Sequence, residues 1–507
     1  MLTSLNLELL PRSLASSGDC EWGLARTGEG LRLVVWAPHE APVLGELEGQ
    51  ASEHAGGTLL VGPTSARNAA ALRASFPWLV PSPLGLRTSA GLGDRLGLAT
   101  PGHVRAMRAA GDGIAPLFAQ QSVREMARTG RTPQQVLDDA VWGVFQEGWR
   151  EGFGADADHL KEPEDIDCTV AAGFTLFTID PGEHVDGSAG AASWSHLCAA
   201  LEALPWHGLD DSAGALRRRY MGRAFQFEDL VVGFDERTLA TAAVKYGRAV
   251  AHVAAMYRHL ERVTAGRAVE MEVSVDETDE PTSHAEHVYV ASELARLGVR
   301  WVGLAPRFVG RFEKGVDYIG DLEQFERHFA GHAAIARALG PYKVSLHSGS
   351  DKFSIYPIAA AHARGLVHLK TAGTSYLEAL RTAAALDPSF FRDLYRFARE
   401  RYEADRASYH VSARLDRAPA PDTVADGELA VLLEQFDARE ILHVTFGSVL
   451  TAHDASGRPW LAARLVALLG RRPEVYAANL EGHLARHLAP FATPGRAAPP
   501  AQVVWQH

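Results

Sequence analysis

From about residue 85 the chain alternates short β-rich runs with stretches of helical period, the pattern of repeated βα units. Eight runs read as strands: the run ending in GLGDRLGL (91–98), IAPLFAQ (114–120), GFGADADHL (152–160), GFTLFTIDP (173–181), VEMEVSVDE (269–277), RWVGLAPR (300–307), KVSLHSGS (343–350) and GLVHLKTAG (365–373). Between them, PQQVLDDAVWGVFQEG places Val136, Ala140, Val141 and Val144 at helical spacing, and FERHFAGHAAIARALG stops on Gly340. Eight strands with helices between them predict an α/β fold, a (β/α)8 TIM-type barrel over residues 85–373. The long gap at about 182–268, after the fourth strand, predicts a helical insertion. Residues 1–84 read as a partly β N-terminal extension with strands in LRLVVWAP and GTLLVGP. Residues 374–507 read as a mostly helical C-terminal region packing on the barrel, with a strand-like run ILHVTFGS and a flexible ATPGRAAPPAQ tail.

Composition narrows the class. Hydrophobic content of 47% and charged content of 22% over 507 residues are ordinary for a soluble globular enzyme. A formal charge of −12 without a basic stripe argues against a nucleic-acid partner. Cys20, Cys168 and Cys198 lack CxxC spacing and read as reduced thiols, neither a disulfide framework nor a zinc cluster. MLTSLNLELLPRS lacks a basic segment followed by an apolar core, so no signal peptide is expected, and no apolar run approaches the roughly 20 residues that span a bilayer. These features predict a cytoplasmic protein with no membrane partner, and leave the oligomeric state open.

Barrel active sites lie at the C-terminal ends of the strands, so polar residues there carry the chemistry. Asp94 and Arg95 follow the first predicted strand, and Gln120 and Gln121 end the second. Asp156, Asp158, His159 and Lys161 crowd the third; Asp180, Glu183 and His184 follow the fourth. Asp276 and Glu277 end the fifth and Arg307 the sixth. His347, Ser348, Ser350, Asp351 and Lys352 follow the seventh, and His368, Lys370 and Thr371 mark the eighth. Any one of these can be a helix cap or a solvated loop charge, but independent loops seldom all place such groups directly after a strand. Asp276, His347 and His368 can close around one divalent ion, and their mixed oxygen and nitrogen donors suit zinc, manganese, nickel or cobalt better than calcium. Asp158 and His159 are rival ligands, although neighbours in a strand point to opposite faces unless the strand has ended. His328 and His332 share a helical face at i, i+4; without a third ligand nearby they read as helix surface.

The runs GLGDRLGLATPGH, AQQSVREMARTGRTP, GADADHLK, FTLFTIDPGEHVD, VSVDETDEPTSHAEH, LAPRFVGRFEKGVDYIGDL, KVSLHSGSDKFSIYP and HLKTAGTSYLEALR extend over roughly residues 85–382. On these motifs the chain resembles the tagaturonate epimerase family. The resemblance implies interconversion of D-tagaturonate and D-fructuronate with a divalent metal, and for some relatives epimerisation of the matching neutral ketohexoses.

These ketouronates differ at C3, which is β to the C5 ketone, so simple enolisation does not acidify it. A retro-aldol break of the C3–C4 bond, rotation of the aldehyde fragment and re-closure would invert C3. That chemistry needs a Lewis acid, a group for the C3 hydroxyl proton and a cation for the carboxylate. Transient oxidation by nicotinamide would need a dinucleotide site, for which the sequence has no fingerprint. For the proton, the expected groups are Asp180, Glu183 and Lys370; for the carboxylate, Arg307 or else Lys352; Lys161, Asp158, Ser348 and Asp351 complete the substrate-binding set. A metal-dependent sugar isomerase or aldolase, and a non-catalytic sugar-acid binding protein, are the competing readings.

Overall fold

The computed structural model describes residues 1–28 and 30–492. Most of the predicted ATPGRAAPPAQ tail, from residue 493, lies outside them.

Eight parallel strands close into a barrel: β1 (Ser89–Gly91), β2 (Ala115–Ser122), β3 (Gly154–Leu160), β4 (Leu176–Ile179), β5 (Glu270–Val275), β6 (Gly303–Pro306), β7 (Lys343–Leu346) and β8 (Val367–Lys370), with β8 pairing back onto β1. The fold class is as the alternation predicts. The first strand is not the GLGDRLGL run itself but lies just before it. Beyond Gly91 the chain turns, because Asp94 accepts from the backbone N–H groups of Leu96, Gly97 and Ala99 at 2.9, 2.8 and 2.6 Å. That carboxylate folds a loop and is spent on it.

Within the strands the two-residue period separates two environments. In β5, Met271, Val273 and Val275 join the apolar core, while Glu272 and the following Asp276 make polar contacts to neighbouring strands and Ser274 donates to Asp276. β7 and β8 repeat this, with Val344, Leu346, Val367 and Leu369 in the core and Lys343, Ser345, His347, His368 and Lys370 turned inward. Burying the apolar face against the helices fixes the register, because a one-residue slip would put these charges into the core.

Residues 8–63 form a six-stranded antiparallel sheet that includes both predicted strands, Gly30–Ala37 and Gly57–Pro63. It meets the barrel through Trp22, Phe76 and Phe145, whose rings follow one another at 5.6 and 5.9 Å. The 182–268 segment contains the helices Trp194–Glu202, Ala213–Tyr220 and Glu236–Val263, and also a hairpin, Ala224–Phe227 with Leu230–Gly233. The strand-like ILHVTFGS is helical, in Phe436–Val444 and Phe446–Thr451. Its Ile441, Leu442, Phe446 and Val449 are wholly buried at helical spacing, and tertiary packing overrides their β propensity.

The C-terminal region is clasped to the β6 loop. Glu313 accepts from Ser412 N and Oγ at 2.8 and 2.7 Å, and the buried Glu440 accepts from Ala413 N at 2.9 Å. Burial, and then the neighbouring Glu313, raise the Glu440 carboxyl from 4.5 to about 8. A pKa raised on folding means that the folded state binds the proton more tightly between those values. The contribution is therefore full below about 4.5 and is lost as pH rises through about 8. Glu440→Gln should flatten the decline of Tm between about pH 4.5 and about pH 8. Thermal scans with equal slopes for variant and parent would refute this.

Candidate active site

The inward charges of the barrel converge on Lys370. Its Nζ lies 2.7 Å from Asp158 Oδ1, 2.7 Å from Glu272 Oε1 and 3.0 Å from Asp156 Oδ2, and donates to Thr178 Oγ1 at 2.7 Å. Burial opposes the charge, but Asp156, Asp158 and Glu272 hold the ammonium well above the ordinary lysine range. These three carboxylates favour Lys370 as the ammonium. Glu272 also accepts from Ser345 Oγ and lies 2.7 Å from His347 Nε2, so one buried carboxylate ties β4, β5, β7 and β8 together.

Above this layer, Asp158, His159 and His347 offer ligand atoms that all lie within 4.8 Å of one another. His159 Nδ1 is 2.8 Å from Asp158 Oδ1, and His347 Nδ1 is 3.4 Å from Asp276 Oδ1. Two neighbours reach one site because β3 breaks its alternation. The pairing of β3 with β4 shifts register before Leu160, and His159 has φ +55°. A left-handed backbone costs a histidine roughly 1–2 kcal/mol, so the surrounding contacts must hold it there. Ser348, at φ +50°, shows the same strain on the opposite side.

The electrostatics follow from the carboxylates. Burial disfavours charging His159, yet Asp158 outweighs it and lifts the pKa to about 10. Burial and Lys370 both disfavour charging His347, but Asp276 and Glu272 lift it to about 9. Burial raises the Asp180 carboxyl, with Glu277 adding to the rise and His159 opposing it. Glu277 stays below its usual value because His159 and Arg124 outweigh its burial.

A cavity of about 410 Å³ opens at the barrel mouth. Asp158, His159, Asp276, Glu277, His347 and Lys370 supply one side; Arg124, Arg307 and Lys314 supply cations. Arg124 is paired with Glu277 at 2.8 Å and Lys314 donates to Ser348 Oγ at 2.6 Å. Arg307 faces the same space with its Nε buried and lacking a hydrogen-bond partner.

Several predicted residues are not brought to this cavity. His368 sits deeper, with Nδ1 2.9 Å from Ser89 Oγ and Nε2 4.0 Å from Asp156, and it does not line the mouth. Two residues along β8 is one layer down the barrel, which separates it from His347 and Asp276. Glu183 points outward, its side chain 71% exposed and paired with Lys161 Nζ at 3.0 Å; Lys161 reaches only to 4.0 Å from Asp180. Lys352 is buried elsewhere, donating to the carbonyls of Glu313, Val316 and Ser350 at 2.8, 2.5 and 3.1 Å. Burial lowers it to about 8, and its three hydrogens are already committed. Asp351 is held by Arg439 at 2.9 Å and His483 at 2.6 Å, and does not line the cavity. Asp180 lies just behind the wall, within 4.8 Å of Glu277 and His159.

Residues without an assigned role in the sequence reading complete the site. Glu272 was legible in principle: VEMEVSV places acids at alternate positions of a buried strand, and a buried acid must have a partner. Tyr409, His410 and His443 reach the cavity from the C-terminal region, far along the chain. His443 enters only because Gly373 lacks a side chain; a Cβ there would lie 1.9 Å from its Nε2.

A family model described as UxaE, tagaturonate epimerase, matches residues 10–491. A curated relative from Thermotoga maritima, named tagaturonate/fructuronate epimerase, is 44% identical over 481 residues, covering 95% of this chain and 96% of its own. Crystal structures of fructuronate-tagaturonate epimerase UxaE from Cohnella laeviribosi, native and with one glycerol, superpose with TM-score 0.90 at 38% identity over 97% of each chain. The described residues contain no helix long and apolar enough to cross a membrane. On sequence and on fold alike, the chain belongs to the tagaturonate epimerase family.

Proposed function

We propose that the protein interconverts D-tagaturonate and D-fructuronate at this cavity by retro-aldol cleavage and re-closure. The observation that carries the reading is the pairing of an acid–imidazole cluster with the uncommitted Arg307 across one small polar cavity. Asp158, His159 and His347, with Asp276 alongside, fit a divalent ion: the donors are compact, and His347 Nδ1 is buried without a hydrogen-bond partner. An ion bound there would supply Lewis acidity toward the enediolate charge.

The remaining work belongs to side chains. Arg307 grips the substrate carboxylate through its planar fork. Glu277, ionised and facing the cavity, takes the C3 hydroxyl proton as the C3–C4 bond breaks. The bonding pair passes to C4–C5 as the enediolate, and C3 becomes an aldehyde. After that fragment turns, C4 re-attacks the opposite face and the proton returns to O3. Asp180, behind Glu277, helps hold that proton, since its own pKa is raised. Lys370 keeps Asp158 and Glu272 ionised and in place.

The deciding experiment is D-fructuronate turnover in D2O, read by NMR. No carbon–hydrogen bond breaks in this route, so tagaturonate should form with no deuterium at C3 or C4. Deuterium at C4 would indicate an enolising isomerase, accumulating three-carbon fragments an aldolase, and no product a binding protein.

Two substitutions test the roles. Glu277→Gln should cut turnover by about a hundredfold or more with bound metal unchanged, whereas the solvent-exposed Glu183→Gln should leave turnover near normal. The reverse ranking would return the proton step to Glu183. Arg307→Lys keeps the charge but loses the fork, so KM for the uronate should rise about tenfold or more. The effect on a neutral ketohexose should be much smaller; equal losses on both would make Arg307 structural.

A further inference from the structure

Away from the barrel mouth, four histidines converge between the segment following β5 and the outer helices. His284 and His287 come from the start of helix His284–Arg296, and His328 and His332 from successive turns of helix Leu322–Leu339. The sequence shows only the i, i+4 pair; the fold adds His284, and the rings of His284, His328 and His332 offer nitrogens all within 4.8 Å of one another. One corner is tighter. His328 Nε2 and His332 Nε2 are 3.3 Å apart, and each is 3.1 Å from the Thr282 carbonyl oxygen. A tetrahedral ion with bonds of about 2.0–2.1 Å needs donors separated by about 3.3 Å, which is this spacing.

The surroundings suit ligation. His332 Nδ1 lies 2.8 Å from His287 Nδ1, and His287 Nε2 lies 2.8 Å from Tyr342 Oη. With His332 Nδ1–H donating to His287 and His287 Nε2–H donating to Tyr342, the lone pair of His332 Nε2 faces the gap. Metal-bound histidines are oriented by this kind of outer hydrogen bond. Gly331 leaves room for His284; a Cβ there would lie 2.3 Å from its Nε2. His284 and His328 are half-buried, which leaves a path for an ion.

We propose that His284, His328 and His332, with the Thr282 carbonyl, form a second metal site for a zinc-class divalent ion. Imidazole donors without a paired carboxylate among the described residues favour zinc, copper or nickel over magnesium or calcium. The site has a structural consequence. Thr282 N donates to the Arg307 carbonyl at 2.8 Å, and Thr282 Oγ1 accepts from Arg307 N at 3.0 Å. An ion on Thr282 fastens the segment after β5, and Arg307 with it, to the outer helices.

The test is titration of the metal-stripped full chain with Co2+, followed by visible absorption and by counting bound metal after gel filtration. His284→Gln/His328→Gln should bind one fewer equivalent per chain than the parent and lose the bands of a tetrahedral nitrogen site. His347→Ala leaves the cluster intact and should keep that equivalent and those bands. Equal stoichiometry and spectra for parent and double variant would overturn the proposal. So would a His347→Ala protein that binds no Co2+, whether or not the double variant folds.

Discussion

Lys370→Met should be the most damaging single substitution in the barrel. The ammonium sits among Asp156, Asp158 and Glu272, all wholly or almost wholly buried. Removing it leaves three carboxylates facing one another in a low-dielectric interior. Breaking a buried pair costs about 3–5 kcal/mol, because the surviving charge has no partner. Here one of the carboxylates also belongs to the cavity, so turnover should vanish along with stability. Thermal unfolding and turnover of D-fructuronate measure the two effects. Adding Glu272→Gln to Lys370→Met removes one uncompensated charge and should recover part of the lost Tm without restoring turnover. If the double variant is less stable than the single one, the carboxylates are not what Lys370 neutralises.

The second large effect concerns the ion. His347→Ala, or dialysis of the parent against a chelator, should lower kcat/KM by about a thousandfold, the equivalent of several kcal/mol of transition-state stabilisation. Metal content should fall with activity in the variant, and re-addition of a divalent ion should restore the dialysed parent but not the variant. His368→Gln separates the two possible ligand sets. It removes an imidazole that lies a layer below the mouth, against Ser89 and Asp156, so metal content should persist. Loss of metal in His368→Gln with retention in His347→Ala would reverse the assignment.

Several of the residues that matter were visible at the strand tips, because barrel topology turns sequence position into spatial position. The C-terminal ends of the strands surround the mouth, and Asp158, His159, Asp276, Glu277, Arg307, His347 and Lys370 all line it. The same rule misleads where a side chain is claimed by a local partner. Asp94 caps its own loop, Lys352 is taken by three carbonyls, and Glu183 sits on a short turn that throws it into solvent. Those outcomes depend on which partner each side chain meets in the fold, which composition and spacing do not encode.

By itself the sequence determined the barrel, since the two-residue period of β5, β7 and β8 allows only one register that keeps acids out of the apolar core. It also determined the chemical inventory at the mouth. Tertiary structure decided depth and company. It lowered His368 by one layer, bent β3 at His159 so that two neighbours share a site, and brought His443 from a helical region into the gap left by Gly373. It turned His328 and His332 from a surface pair into part of a cluster by adding His284. Apart from the local bend at His159, each of these is a contact between residues distant along the chain, set by how elements pack, and a linear pattern carries no term for that.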